Sequence, residues 1–373
     1  MKCCTLLFLL FIPLTPLFAQ DAIDPSQAKA DDKGVLWYDI QSLDIEGKGW
    51  KETALPFDRF PAKAEKMVPA PVWNLSRQSA GLCVRFVTDA AGLQLKWSVT
   101  SKKLELTHMP ATGVSGLDLY VRTAKDGRWQ WLTTGFPAQQ NDNVKVVPLP
   151  PGPREYMLYL PLYNGTVSVQ IGLAKNAKLM KGPAKPAENQ KPIIFYGTSI
   201  TQGGCASRPG MVHTAIIGRK LERPIINLGF SGNGRMDKGV VELLTELDPA
   251  VYVIDCLPNM DAMAIEERTA PLVNGLRRAR PATPILLVED RTYANASVSE
   301  PSKIRNETSR AAFKKEYEKL IAAGVKNLHY LKGDNLIGND GEGTVDGSHP
   351  TDLGFLRQAE VMTEALTPLL RAR

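Results

Sequence analysis

The sequence predicts an α/β domain built on a five-stranded parallel sheet, preceded by an all-β sandwich of jelly-roll type. Three observations carry that expectation. From Val35 to about Leu173, short apolar runs alternate with Gly, Pro and Asn punctuation, and no helical period lasts. The composition then turns Lys/Ala/Pro-rich at Lys181-Gly182-Pro183-Ala184-Lys185-Pro186, which suits a linker. Beyond it, strand-like and helix-like stretches alternate five times, the pattern of parallel strands covered on both faces.

Taken in order, the chain opens with an export signal over residues 1–19. Lys2 supplies the positive end, Thr5 to Phe18 the apolar stretch, and Leu17-Phe18-Ala19 a cleavage site. Pro13 and Pro16 interrupt a run that is already short for a membrane span. The mature protein is therefore expected to be exported, to the periplasm or the medium, with no integral membrane segment. Residues 20–33 read as a polar lead-in.

The sandwich is expected over 34–174. Its strands are read at Leu82–Val87, Leu93–Val99, Leu117–Val121, Trp129–Leu132, Val144–Val147, Tyr156–Leu160 and Thr166–Ile171, with turns at Ala91-Gly92, Asp126-Gly127 and Asn164-Gly165. The linker follows at 175–191 and the α/β domain at 192–373. In that domain, strands are expected at Ile193–Tyr196, Ile225–Leu228, Val251–Asp255, Ile285–Val288 and Leu328–Leu331. Helices are expected near 210–221, 237–246, 263–280, 304–323 and 352–370.

A chain of 373 residues with 43% hydrophobic content can bury the cores of two domains. Its net charge of +6 comes from 45 basic and 39 acidic residues spread along the sequence. No basic cluster interleaves with aromatics, so nothing points to a nucleic-acid partner. Signal cleavage leaves Cys83, Cys205 and Cys256, too few for a disulfide framework. Cys205 and Cys256 both follow strand ends, so either a bridge or two separate thiols fits.

The chemistry is read from the strand-end loops, where α/β folds place their ligands. Gly197-Thr198-Ser199 ends the first strand and leads to Gly203-Gly204, a turn that presents the Ser199 hydroxyl. The loop Gly229-Phe230-Ser231-Gly232-Asn233-Gly234 offers sterically open backbone N–H groups for an oxyanion. Asn259, after the third strand, carries an amide donor suited to the same task. Asp346 and His349 lie between the last strand and last helix, with Pro350 read as part of the first helical turn. The carboxylate can hold one imidazole nitrogen and leave the other for Ser199. Ser231 ranks below Ser199, because Asn233 replaces the last glycine of a nucleophile elbow. His213 and His329 fall in regular elements and read as structural, whereas His108 at most lines a cleft. Arg208, Asp290 and Arg291 follow strand ends and are candidate substrate contacts. No metal-ligand cluster is apparent and no cofactor is expected, the acidic loop Asp340-Gly341-Glu342-Gly343 reading as solvated.

These segments together resemble the SGNH/GDSL hydrolases. Gly197-Thr198-Ser199-Ile200-Thr201 matches the nucleophile block with Thr198 in place of aspartate, Gly232 the glycine block, Asn259 the asparagine block, and Asp346-Gly347-Ser348-His349 the Asp-x-x-His block. Gly116-Leu117-Asp118-Leu119-Tyr120 resembles the Gly-x-Asp-Leu-Tyr signature of a β-rich domain that precedes such hydrolases in some bacterial proteins. The resemblance implies a flavodoxin-like three-layer domain and a Ser199–His349–Asp346 triad. It also implies an oxyanion hole from the Ser199 and Gly232 N–H groups and the Asn259 side chain. Asn259 sits in Pro-Asn-Met rather than the usual Gly-x-Asn-Asp.

Function is thus expected to be ester hydrolysis on a small-molecule or glycan ester, with acetyl removal from carbohydrates leading. Export, the appended β-domain and the aromatics, among them Trp37, Trp50, Trp97 and Trp131, motivate that choice. A lipid or thioester hydrolase would use the same residues, and a non-catalytic carbohydrate-binding protein would not need Ser199. Catalysis through Cys205 is a remote third reading.

Overall fold

The computed structural model describes residues 22–371, so the expected export signal at 1–19 lies outside the described residues. The amino-terminal strands are β1 (Lys29–Ala30), β2 (Val35–Asp39), β3 (Ile45–Glu46), β4 (Cys83–Thr88), β5 (Gly92–Val99), β6 (Leu117–Arg122), β7 (Trp129–Gly135), β8 (Asn143–Pro148), β9 (Arg154–Tyr159), β10 (Thr166–Ala174) and β11 (Leu179–Lys181). They pair antiparallel in two sheets, β1-β2-β10-β5-β8 and β11-β4-β9-β6-β7, with β3 beside β4. Alternation along each strand sends Val84, Phe86, Leu93, Leu95, Trp97, Leu119, Leu158, Val169 and Ile171 into one shared core. The Trp97 ring is fully buried, and its indole N–H donates to the Ser115 carbonyl at 3.1 Å.

Two features depart from the sequence reading. β11 lies inside the stretch read as linker, because Leu179 and Met180 are buried and pair with β4, ahead of the prolines. The region read as strands alone also holds two short helices, α1 (Ala70–Ser76) and α2 (Ala111–Val114). Val72 and Trp73 of α1, with Phe60 and Val68, pack on the parallel sheet rather than in the sandwich. The amino-terminal part therefore supplies some of the α/β core.

The carboxyl-terminal part holds β12 (Ile193–Gly197), β13 (Ile225–Gly229), β14 (Val251–Asp255), β15 (Ile285–Val288) and β16 (Leu328–Leu331). Its helices are α3 (Ser199–Gln202), α4 (His213–Lys220), α5 (Lys238–Thr245), α6 (Ala262–Ala279), α7 (Glu300–Ala322) and α8 (Asp352–Arg371). The strands are all parallel, in the order β13-β12-β14-β15-β16. That is the flavodoxin-like order. Near-continuous apolar runs serve both faces: Ile194, Leu228, Ile254 and Leu287 face one helical layer, and Phe195, Val253 and Val288 the other. Because β12 lies between β13 and β14, the chain leaves it in opposite directions, opening a crevice at the carboxyl ends. The loops after β12, β13 and β14 all meet there.

β13 is an edge strand, and a guanidinium pairs two carbonyls on its free edge while the Asn227 side chain accepts from the Gly229 N–H at 2.9 Å. Arg59 is buried and donates to the carbonyls of Asn227 at 3.1 Å and Gly229 at 2.7 Å, as well as to Gln78 and Leu75. Burial pushes its pKa down to about 9, which leaves it charged at neutral pH. Among the described residues, no helix is long and apolar enough to cross a membrane.

Candidate active site

Ser199 opens the four-residue helix α3 directly after β12. Thr198 caps that helix by accepting from the Ile200 N–H at 3.3 Å. Gly203 ends it in the left-handed region with φ +111°, a conformation glycine adopts without strain. The turn leaves Ser199 nearly buried, with 8% of the residue's surface exposed.

The imidazole arrives from the far end of the chain. Residues 344–350 form a tight loop closed by a Thr344–Pro350 bridge and a Val345 N–H to His349 carbonyl bond of 2.8 Å. Pro350 therefore lies in this bridge, and α8 starts after it at Asp352, where a helical first-turn proline had been expected. Thr351 serves as the cap, accepting from the Gly354 N–H at 3.3 Å. One Asp346 oxygen accepts from the N–H groups of Ser348 and His349 at 3.0 and 2.8 Å. The other lies 2.7 Å from His349 Nδ1, and His349 Nε2 lies 2.8 Å from Ser199 Oγ. A carboxylate only accepts, so the ring proton is assigned to Nδ1, leaving Nε2 to accept from the serine hydroxyl. Burial opposes ionisation of Asp346, but the hydrogen bonds from His349 and Ser348 prevail and hold its pKa below 3.8.

The other two strand-end loops complete the surroundings. Phe230 N–H donates to the Gly197 carbonyl at 3.0 Å, fastening the glycine loop to the end of β12. Ser231 N–H is held by Gln202 Oε1 at 3.0 Å, and its side chain hydrogen-bonds Tyr163. These partners include no histidine, so Ser231 lacks the arrangement seen at Ser199. Gly232 stands at φ +69°, with open space where a side chain would project. The N–H groups of Ser199 and Gly232 have no acceptor among the described residues. Turned as its surroundings require, the Asn259 amide oxygen accepts from Asn233 and Gly234 N–H at 3.1 and 3.2 Å, which leaves the amino group as the free donor.

The remaining candidates are placed differently from expectation. Asp290 and Arg291 have no exposed side-chain surface, so they do not reach a substrate. Arg291 instead bonds both Asp255 oxygens at 3.0 and 3.2 Å beneath the sheet edge. Burial pushes Asp255 up to about 6 against the opposing pull of Arg291. Arg208 is also engaged: it pairs at 2.8 Å with Asp118, the aspartate of the Gly-x-Asp-Leu-Tyr segment. Asp118 is fully buried and also accepts from Gly210 N–H and the Trp131 indole. The motif therefore clamps the loop after α3 onto the sandwich. Asp340 is paired with Arg357 through both oxygens. Cys83, Cys205 and Cys256 are all free. Burial and then Asp346 push the Cys205 thiol up to about 12, which keeps it protonated and removes support for cysteine catalysis. His213 is buried and stacked on Phe355. Among the described residues no group of His, Cys, Asp and Glu could hold a metal ion.

Two side chains went unseen in the sequence, Tyr163 and Gln202, and a third, His108, reads there as at most lining a cleft. The Tyr163 hydroxyl donates to the Ser199 carbonyl at 2.9 Å. Gln202 links the glycine loop to Gln78 and to the Leu162 carbonyl. The His108 ring lies 5.8 Å from that of His349, centre to centre. Tyr163 and His108 come from the sandwich region, where no local pattern marks a residue for a site 36 or 241 positions away.

Comparison with known proteins gives matches along nearly the whole described chain. Residues 190–367 match the GDSL-like lipase/acylhydrolase family, and residues 35–179 match the N-terminus of SGNH hydrolase-type esterases. A protein from Bacteroides ovatus described as a GDSL-like lipase is 34% identical, with a TM-score of 0.85 over 90% of this chain and 98% of that one. The salicylyl-acyltransferase SsfX3 from a tetracycline biosynthetic pathway is 20% identical, with a TM-score of 0.74 over 92% and 100%. A family two carbohydrate esterase from Clostridium thermocellum is 16% identical, with a TM-score of 0.56 over 78% and 92%. The last two are likenesses of fold alone. No curated protein matches the sequence.

Proposed function

Since the chain belongs to the GDSL-like lipase/acylhydrolase family, we propose that it hydrolyses esters through a Ser199–His349–Asp346 triad. The observation that carries this reading is the pair of contacts at His349, 2.8 Å to Ser199 Oγ and 2.7 Å to Asp346. His349 Nε2 takes the hydroxyl proton as Ser199 Oγ bonds to the ester carbonyl carbon, and Asp346 stabilises the imidazolium. The negative charge forming on the carbonyl oxygen falls to the Ser199 and Gly232 N–H groups and the Asn259 amide. Collapse of that intermediate breaks the ester C–O bond, and the proton on His349 passes to the departing alcohol. Water then repeats the sequence on the acyl-enzyme and frees the acid.

The substrate favoured is a carbohydrate ester carrying a short acyl group, with acetyl first. No extended apolar segment follows a strand end to cover a long chain, and the expected export signal would bring the enzyme to extracellular glycans. The large groove of about 1170 Å³ between α5 and α6 is lined by neither Ser199 nor His349. The test is fluorophosphonate labelling and turnover of acetylated sugars by the wild type and Ser199→Ala. Both signals are expected to vanish in the variant while its thermal unfolding is unchanged. Undiminished turnover in Ser199→Ala would move the nucleophile elsewhere.

A further inference from the structure

We propose that His108 is a specificity-determining residue for the alcohol half of the ester, recognising a hydroxyl-bearing alcohol as it leaves; this rests on the triad reading above. The argument begins with where the alcohol must go. His349 Nε2 has to hand its proton to the leaving oxygen, so that oxygen comes within hydrogen-bond reach of the ring. Whatever the oxygen carries then lies beside the imidazole, on its solvent side. His108 is exposed, with its ring 5.8 Å from the His349 ring and tilted by 54°, which is near enough to meet a group beside that imidazole.

Its mounting is rigid. Thr107 and His108 form the tip of a two-residue turn closed by reciprocal bonds between Leu106 and Met109, of 3.0 and 3.1 Å. Met109 is buried in the layer that joins the sandwich to α3 and α4, among Tyr120, Leu162, Ile200 and Val212. The tip is therefore anchored across the same interface that braces Ser199 through Tyr163. An exposed surface histidine needs no such anchorage. A fixed imidazole offers one donor, one acceptor and a flat face, which together suit a polyhydroxylated alcohol such as a sugar. The acyl half is bound by the oxyanion donors at its carbonyl, so on this proposal the two halves of the ester are read by different parts of the chain.

The experiment varies one half at a time, with Ser199→Ala as the inactive control. A panel of acetates (methyl acetate and monoacetylated xylose and glucose, whose other hydroxyls are free) is compared with 4-nitrophenyl esters of rising acyl length. In His108→Ala, kcat/KM should fall about tenfold for the acetylated sugars, the worth of roughly one hydrogen bond, and less than about twofold for methyl acetate. The acyl-length profile should keep its shape, and His108→Gln, which retains a donor and an acceptor, should recover part of the loss. A parallel fall for every acetate, or a slowed deacylation step after the alcohol has gone, would mean that His108 acts through His349 and would overturn the assignment. So would an unchanged panel. If the wild type turned over no ester and Ser199 resisted labelling, the triad reading itself would fail first, and His108 with it.

Discussion

Replacing Arg59 with Met takes away the guanidinium that pairs the outward carbonyls on the open edge of β13. In a parallel strand alternate residues face opposite neighbours, and Phe230 N–H bonds the Gly197 carbonyl on the β12 side. The Asn227 and Gly229 carbonyls therefore face away from the sheet, toward Arg59 Nη1. A buried polar group stripped of its partner costs about 1–3 kcal/mol, so these two together cost roughly 2–6 kcal/mol. Relief of a desolvated cation, and a Met side chain that fills much of the same volume, offset part of that loss. The net expectation is a destabilisation of about 2–4 kcal/mol, a large share of the ~5–15 kcal/mol typical of a folded domain. Urea unfolding should show a lower midpoint at unchanged slope. Arg59→Lys should fall between, since a single ammonium reaches fewer carbonyls than the planar fork. Turnover should drop as well, because Gly229 begins the loop that carries Gly232, while Ser199 remains reactive to fluorophosphonate. A Met variant within about 0.5 kcal/mol of wild type would refute the reasoning, because surface substitutions without structural consequence fall in that range.

Two further outcomes follow from the site. On the proposed mechanism, Asn259→Ala should lower kcat by about 10²–10³ with KM little changed, because its amide would act on charge that develops only in the transition state; a loss confined to KM would make it a binding residue. Asp346 has a folded pKa below its unfolded value of 3.8, so its stabilising contribution is complete above that value and is lost as pH falls through the lowered one. The stability gap between wild type and Asp346→Asn should accordingly hold above pH 3.8 and shrink as the pH falls below it, and a gap that stays constant on acidification through that region would count against the hydrogen-bonded carboxylate.

The sequence by itself determined the elements that local pattern can encode. Apolar runs bounded by turn residues located all five parallel strands, with Val251–Asp255, Ile285–Val288 and Leu328–Leu331 matching residue for residue. Strand-end position also singled out Ser199, the 229–234 loop, Asn259, Asp346 and His349, because a parallel sheet gathers the loops at one edge whatever their separation in the chain, and the family resemblance picked Gly232 within that loop. The tertiary structure alone decided what pairs with what. Arg208 faces Asp118 and Arg291 faces Asp255, and burying a guanidinium demands an acceptor that no single segment reveals. It also decided that α1 joins the parallel sheet and that β11 closes the sandwich, since an apolar residue announces its need for burial but not the surface that will bury it. Tyr163 and His108 reach the site for the same reason: non-directional packing fixes the two layers against each other, and only that docking brings a sandwich turn beside a distant imidazole.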